Sequence, residues 1–117
     1  MTAAPPAPAR GDVWLVDFDP TRGHEQAGKR PALILSTDAL NRSAAGLVIV
    51  LPLTSKAKHI RSHVRVDPPE AGLKSPSYIK CEDVRSVSTS RLARRWGRVS
   101  PATLRAVEQT VRILLDL

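Results

Sequence analysis

Residues 10–37, RGDVWLVDFDPTRGHEQAGKRPALILST, constrain the fold more than any other part of this chain. Over residues 12–18 the segment reads as a strand, because successive side chains of extended backbone point to opposite faces. Trp14, Val16 and Phe18 share one face, and Val13 and Leu15 share the other. Asp19-Pro20 ends it, since proline has no N–H for a ladder and restricts the residue before it. Residues 19–29 are then a loop with Gly23 and Gly28 as its flexible points. A second strand, residues 31–37, starts on Pro31, a position where the missing donor is tolerated. The loop thus delivers Arg30 to the rigid edge of a sheet.

Downstream, Asp38 can cap a short helical turn through Ser43, and Gly46 closes that excursion. The run 47–53, LVIVLPL, is apolar throughout, which fits a central strand covered on both faces. Residues 55–62 form a polar, basic loop before a short strand at 63–67. Pro68-Pro69-Glu70-Ala71-Gly72 breaks the pattern, and residues 77–81 and 83–88 read as two further short strands. Residues 89–95 read as one helical turn, followed by extended backbone at 97–99. Ser100-Pro101 is a strong helix start, with serine as N-cap and proline at the first helical position. Leu104, Val107, Val111, Leu114 and Leu115 fall on one stripe of that helix, and Glu108 stands four residues before Arg112, the favourable order for an ion pair. The pattern is mainly β with α: a small, largely antiparallel barrel carrying a C-terminal amphipathic helix.

At 117 residues there is room for one domain, residues 10–117, with a modest core. Residues 1–9 are rich in Ala and Pro, have nothing to bury, and are expected to be a disordered tail. The aromatics are Trp14, Phe18, Tyr78 and Trp96, so the core must be built from Val, Leu, Ile and Ala. Cys81 is the sole cysteine, so no intrachain disulfide can form and an oxidising compartment is not indicated. Neither a signal peptide nor an apolar run long enough for a membrane span is encoded, and a cytoplasmic location is expected. The formal charge of +7, with arginine prevailing among the cations, suits phosphate contact. Solubility or an acidic protein partner would also account for it.

Metal chemistry finds little support. His24, His59 and His63 have no partner cysteines at finger spacing, and no HExxH helix exists. Nor is there a nucleotide phosphate loop or a GxSxG elbow, so no metal or cofactor is expected. RNA cleavage needs less equipment, because the substrate supplies its own nucleophile in the 2′-hydroxyl beside the scissile phosphate. The protein must orient that hydroxyl, take its proton, stabilise the charge gathering on phosphorus and protonate the departing 5′-oxygen. A strand-edge guanidinium donates two aligned hydrogen bonds to phosphate oxygens, which makes Arg30 the candidate. Arginine hardly deprotonates, so its role is as acid or electrostatic stabiliser rather than base.

Gly28-Lys29-Arg30-Pro31 and Pro52-Leu53-Thr54, together with Gly11-Asp12, Asp17-Phe18-Asp19-Pro20, Glu25-Gln26-Ala27-Gly28 and residues 82–87, closely resemble the MazF/PemK family of toxin endoribonucleases. The resemblance extends over most of residues 10–90. It implies an SH3-like barrel, Arg30 and Thr54 as the catalytic pair, and Glu25 positioning Arg30 or handling a proton. It also implies a toxin of a type II toxin–antitoxin system that cuts single-stranded mRNA at a short sequence, without metal or ribosome, leaving 2′,3′-cyclic phosphate and 5′-hydroxyl ends. The implied partners are RNA, a second copy in a homodimer, and an acidic antitoxin of the MazE/PemI type, with no membrane. Some members carry His where this chain has Lys29, which stays charged and is better cast, with Gln26, as an RNA contact.

Each residue has a plainer reading as well. Arg30 could form a surface ion pair with Glu25, and the Thr54 hydroxyl could simply bond local backbone at the strand end. Lys56, Lys58, His59 and Arg61 are read as a track for single-stranded RNA, with a solvated loop as the alternative. His59 and His63 themselves read as exposed loop histidines. The arginines at 91, 94, 95 and 98 read as solvated charge over a buried Trp96, with a stacking surface as the rival. Two other functions compete with the nuclease: a poison that binds DNA gyrase, as the related CcdB toxins do, and a decayed module that keeps only RNA or antitoxin binding.

Overall fold

The computed structural model describes residues 7–18 and 28–117. The elements run β1 Asp12–Asp17, β2 Lys29–Ile34, α1 Asp38–Asn41, β3 Leu47–Thr54, β4 His63–Val66, β5 Ser77–Lys80, β6 Arg85–Ser88, β7 Leu92–Arg98 and α2 Pro101–Leu115. Turns of 3-10 helix lie at Glu70–Gly72 and Thr89–Arg91. The sheet order is β4-β5-β3-β2-β1-β7, with β6 also paired to β3, and every described pairing is antiparallel.

Strand alternation divides the interior into two clusters. Val13, Leu33, Leu51 and Leu53 point to one side, where Ile79 and the α2 residues Val107 and Val111 meet them. Trp14, Val16, Ala32, Ile34, Val48 and Val50 point to the other. There β6 and β7, joined by the Thr89–Arg91 turn, lay Val87 and Leu92 over the cluster and give the sheet its barrel-like curl. Both expected faces of β1 and the double cover of β3 are thus present. Leu33, Ile34 and Leu51 are fully buried, and truncating such a leucine to alanine typically costs about 2–5 kcal/mol.

Two tethers lock the barrel to its terminal elements. Arg10 donates to the Leu35 carbonyl and to Glu108, tying the start of β1 to the end of β2 and to α2. Asp12, its side chain 3% exposed, accepts from Ala9 N–H at 2.9 Å and Trp14 Nε1 at 3.2 Å, and pairs with Arg95 and Arg98 of β7.

Several expectations need correction. The second strand starts at Lys29 and ends at Ile34, so Arg30 stands inside it, opposite Val16. Thr37, not Asp38, caps α1, accepting from Leu40 N–H, while Asp38 takes the N–H of Arg10. Residues 92–95 are not helical: the 3-10 turn stops at Arg91 and β7 runs unbroken to Arg98 because it pairs along the length of β1. Register shifts within that pairing blur the two-residue period that would mark a strand. Ser100 caps α2 as expected, accepting from Thr103 N–H. The far end of its stripe is open, with Leu114 45% and Leu115 52% exposed, and Glu108 pairs with Arg10 rather than Arg112. Of the expected tail, residues 1–6 lie outside the described residues.

Candidate active site

β3 changes partners along its length. Residues 47–50 pair with β6, residues 50–52 with β2, and Leu53 and Thr54 with β5. The β2–β3 ladder ends at Ala32 and Pro52, and continuing its register two residues places Arg30 opposite Thr54. At this point β2 is held by β1 through Arg30 and Val16, while β3 is held by β5 through Thr54 and Tyr78. The ladder stops beside Pro31 and Pro52, neither of which has an N–H to give, where β3 exchanges β2 for β5.

A cavity of about 990 Å³ opens there. Arg30, Pro31, Leu53, Thr54, Ser55, Lys56 and Lys58 form its rim on β2, β3 and the loop that follows. His63, Lys80 and Glu82 border it from the β4–β5 edge, and Lys74, Arg94, Arg95 and Trp96 from the turn after residue 72 and from β7. Among the described residues, lysine and arginine thus surround a single lining carboxylate, Glu82, an arrangement that draws a polyanion.

Arg30 is exposed and, among the described residues, has no ion-pair partner. Thr54 Oγ1 accepts the N–H of Lys56 at 3.2 Å. That is the local backbone bond of the plainer reading, yet it uses only an acceptor lone pair and leaves the hydroxyl proton to be donated. Both readings of Thr54 are compatible with this geometry.

Glu82 is the best-held acid of the cavity. Its carboxylate accepts from Ser62 Oγ at 2.7 Å and lies 3.0 Å from His63 Nε2. Burial pushes the carboxyl up, but the bonds from Ser62, its own backbone N–H and His63 outweigh it and leave the group below its ordinary value. His63 is a correction to the sequence reading: its side chain is 4% exposed, not that of an exposed loop histidine. With Nε2 turned to the carboxylate, its Nδ1 is buried and has no partner among the described residues. Neighbouring Cys81 is fully buried, and burial, with the Glu82 charge, pushes its thiol up to about 12, so it is no nucleophile at neutral pH.

Of the residues singled out in the sequence, Arg30, Thr54, Lys56 and Lys58 come together in the cavity. Lys29 sits at the start of β2 opposite Asp17, outside the lining. His59 and Arg61 are exposed on the loop and do not border it. Glu25 and Gln26 lie outside the described residues. Sequence reasoning missed His63, Lys74, Lys80 and Glu82 as site residues. Pairing residues 63–66 with 77–80 as a hairpin would have found part of this, since it sets His63 against Lys80.

Residues 9–115 match the family described as PemK-like, MazF-like toxin of type II toxin-antitoxin system. The chain is 38% identical to Endoribonuclease MazF9 of Mycobacterium tuberculosis over 113 residues, covering 92% of this chain and 96% of the relative. It is 37% identical to Endoribonuclease PemK of Escherichia coli, covering 81% and 71% respectively. Among solved structures, MazE-MazF (Form-II) from Deinococcus radiodurans superposes with a TM-score of 0.83 at 32% identity, over 97% of this chain and 99% of that one. A shared fold and a match that runs through nearly the whole chain converge, and the protein belongs to the PemK-like, MazF-like family of type II toxin–antitoxin toxins.

Proposed function

We propose that the protein is a sequence-specific endoribonuclease that cuts single-stranded mRNA without metal or ribosome and so arrests growth. The observation that carries this reading is Arg30 across from Thr54 in a cation-lined cavity. The substrate's 2′-oxygen loses its proton and bonds to the adjacent phosphorus, and the bond from phosphorus to the 5′-oxygen breaks as that oxygen gains a proton. The products carry a 2′,3′-cyclic phosphate and a 5′-hydroxyl. Arg30 donates to the phosphate oxygens as their charge grows, and the Thr54 hydroxyl donates to the same group. Glu25 is the residue that the family resemblance implies either positions Arg30 or handles a proton, and Glu82 is a carboxylate that lines the cavity.

Lys56 and Lys58 track the RNA backbone beside the cut, with Lys29, Gln26, His59 and Arg61 as outer contacts. The working form is a cytoplasmic homodimer, restrained by an acidic antitoxin of the MazE/PemI type. Solved relatives include a MazE-MazF complex and an endoribonuclease with its cognate antitoxin from mycobacterial species. An acidic antitoxin tail and RNA are drawn by the same cations, so both should bind more weakly as salt rises.

The test is purified protein incubated with a defined RNA in EDTA, free of ribosomes. Cuts at a recurring short sequence support the reading. RNA left intact while gyrase supercoiling is inhibited would replace it with the poison.

A further inference from the structure

We infer that the β7 wall of the cavity, Trp96 with Arg95 and Lys74, is a subsite that holds a nucleotide neighbouring the cut, its base against the indole and its phosphate on the two cations. This rests on the endoribonuclease reading above and adds to it a place where the RNA is gripped away from Arg30 and Thr54.

Close backbone contact creates the wall. A Cβ on Gly72, whose φ is +71°, would lie 2.2 Å from the Trp96 carbonyl oxygen, and one on Gly97 would lie 2.6 Å from the Ala71 carbonyl carbon. Only glycine at both positions lets the Glu70–Gly72 turn press against β7. Glu70 fastens the turn again by accepting the Ser100 N–H at 2.8 Å. The chain leaving this clamp carries Lys74 into the same cavity as Trp96.

Arg95 is held by its Nε, 3.3 Å from the Asp12 carboxylate, which is 3% exposed. The Arg95 side chain is itself 46% exposed and borders the cavity, so it keeps donors beyond the one spent on Asp12. A solvated arginine gains little from being anchored to a buried acid, whereas a phosphate contact gains from losing less freedom on binding. Trp96 packs against the core yet is only partly buried and borders the cavity. An exposed part of an indole between cations suits a base and its phosphate. An acidic peptide would use the cations but leave the ring idle.

The experiment uses a short RNA of the cut sequence with every 2′-hydroxyl methylated, so that it binds without being cleaved, and a set of copies with an abasic site moved along it. Dissociation constants are measured for wild type, Trp96→Leu and Trp96→Phe. An abasic site at one position should weaken wild-type binding about tenfold, should add nothing to the loss already caused by Trp96→Leu, and should still act on Trp96→Phe, which keeps an aromatic face. Arg95→Gln should lower the slope of log affinity against log salt by about 0.7, one phosphate contact on a single strand. Abasic penalties equal in wild type and Trp96→Leu at every position, or no binding of the RNA at all, would overturn the subsite, as would binding of acidic peptide but not RNA at this wall. Cleavage of the unmodified RNA is scored separately. Cutting without this coupling removes the subsite and leaves the nuclease, and coupling without cutting does the reverse.

Discussion

Carried two residues past its last pair, Ala32 and Pro52, the β2–β3 register brings Arg30 level with Thr54, where β2 stays paired with β1 while β3 has passed to β5. A guanidinium and a hydroxyl are thereby fixed on two separate strands at the mouth of one cavity. Rigid strands hold such donors where charge develops, which is what transition-state stabilisation requires.

Arg30→Ala should lower the cleavage rate by roughly 10²–10³ or more while leaving the thermal unfolding midpoint almost unchanged, because the exposed side chain contributes little to either core. Arg30→Lys should be severely impaired too, since an ammonium cannot reproduce two aligned donors. Single-turnover cleavage with a fluorescent RNA gives the answer. Near wild-type rates in either variant would remove Arg30 from the site.

Thr54→Ser should keep part of the activity, and Thr54→Ala and Thr54→Val should lose most of it. Valine keeps the shape and the branched β-carbon but not the hydroxyl, so the Val and Ser rates separate the hydroxyl from the methyl. A fully active Thr54→Val would leave Thr54 with only its strand-end bond to Lys56.

Asp12→Ala should destabilise the fold without touching the Arg30–Thr54 register. It strips Trp14 Nε1 of its buried acceptor, a loss of about 1–3 kcal/mol, and frees Arg95 and Arg98. Urea unfolding followed by tryptophan fluorescence should show the lower midpoint. An unchanged midpoint would mean that the Asp12 bonds add nothing net to stability.

Much of this fold is legible locally. The two faces of β1 come from simple alternation, and the Ser100 cap comes from a short motif. β7 is obscured because Ala93, Arg94 and Arg95 are all exposed in sequence and its pairing with β1 is irregular. The His63–Glu82 contact joins residues that only the β4–β5 hairpin brings close, and nothing near either residue announces it. Arg30 and Thr54 as a pair came from the resemblance, since chemistry alone favours a surface ion pair for Arg30 and the register that aligns the two is non-local. The open end of α2 shows the converse: Leu114 and Leu115 follow the stripe, but the described barrel does not reach that far along the helix.

The Ser62–Glu82–His63 contacts carry a pH signature. Because the Glu82 carboxyl is held below its ordinary value in the fold, its ionised form stabilises the native state above about pH 4.5, and that contribution fades as pH falls through the lower folded value. Glu82→Gln should therefore be less stable than wild type at pH 7, with the gap closing on acidification. Paired melting curves at pH 7 and about pH 3.5 test this, and a gap that widened in acid would reverse the assignment.

The most direct test of the central claim is the chemical nature of the ends left at the cut, read by mass spectrometry of a short RNA after digestion in EDTA. If Arg30 and Thr54 assist attack by the substrate's own 2′-hydroxyl, the upstream fragment ends in a 2′,3′-cyclic phosphate and the downstream fragment begins with a 5′-hydroxyl. A 3′-hydroxyl paired with a 5′-phosphate would mean that water attacked instead, and would contradict the mechanism.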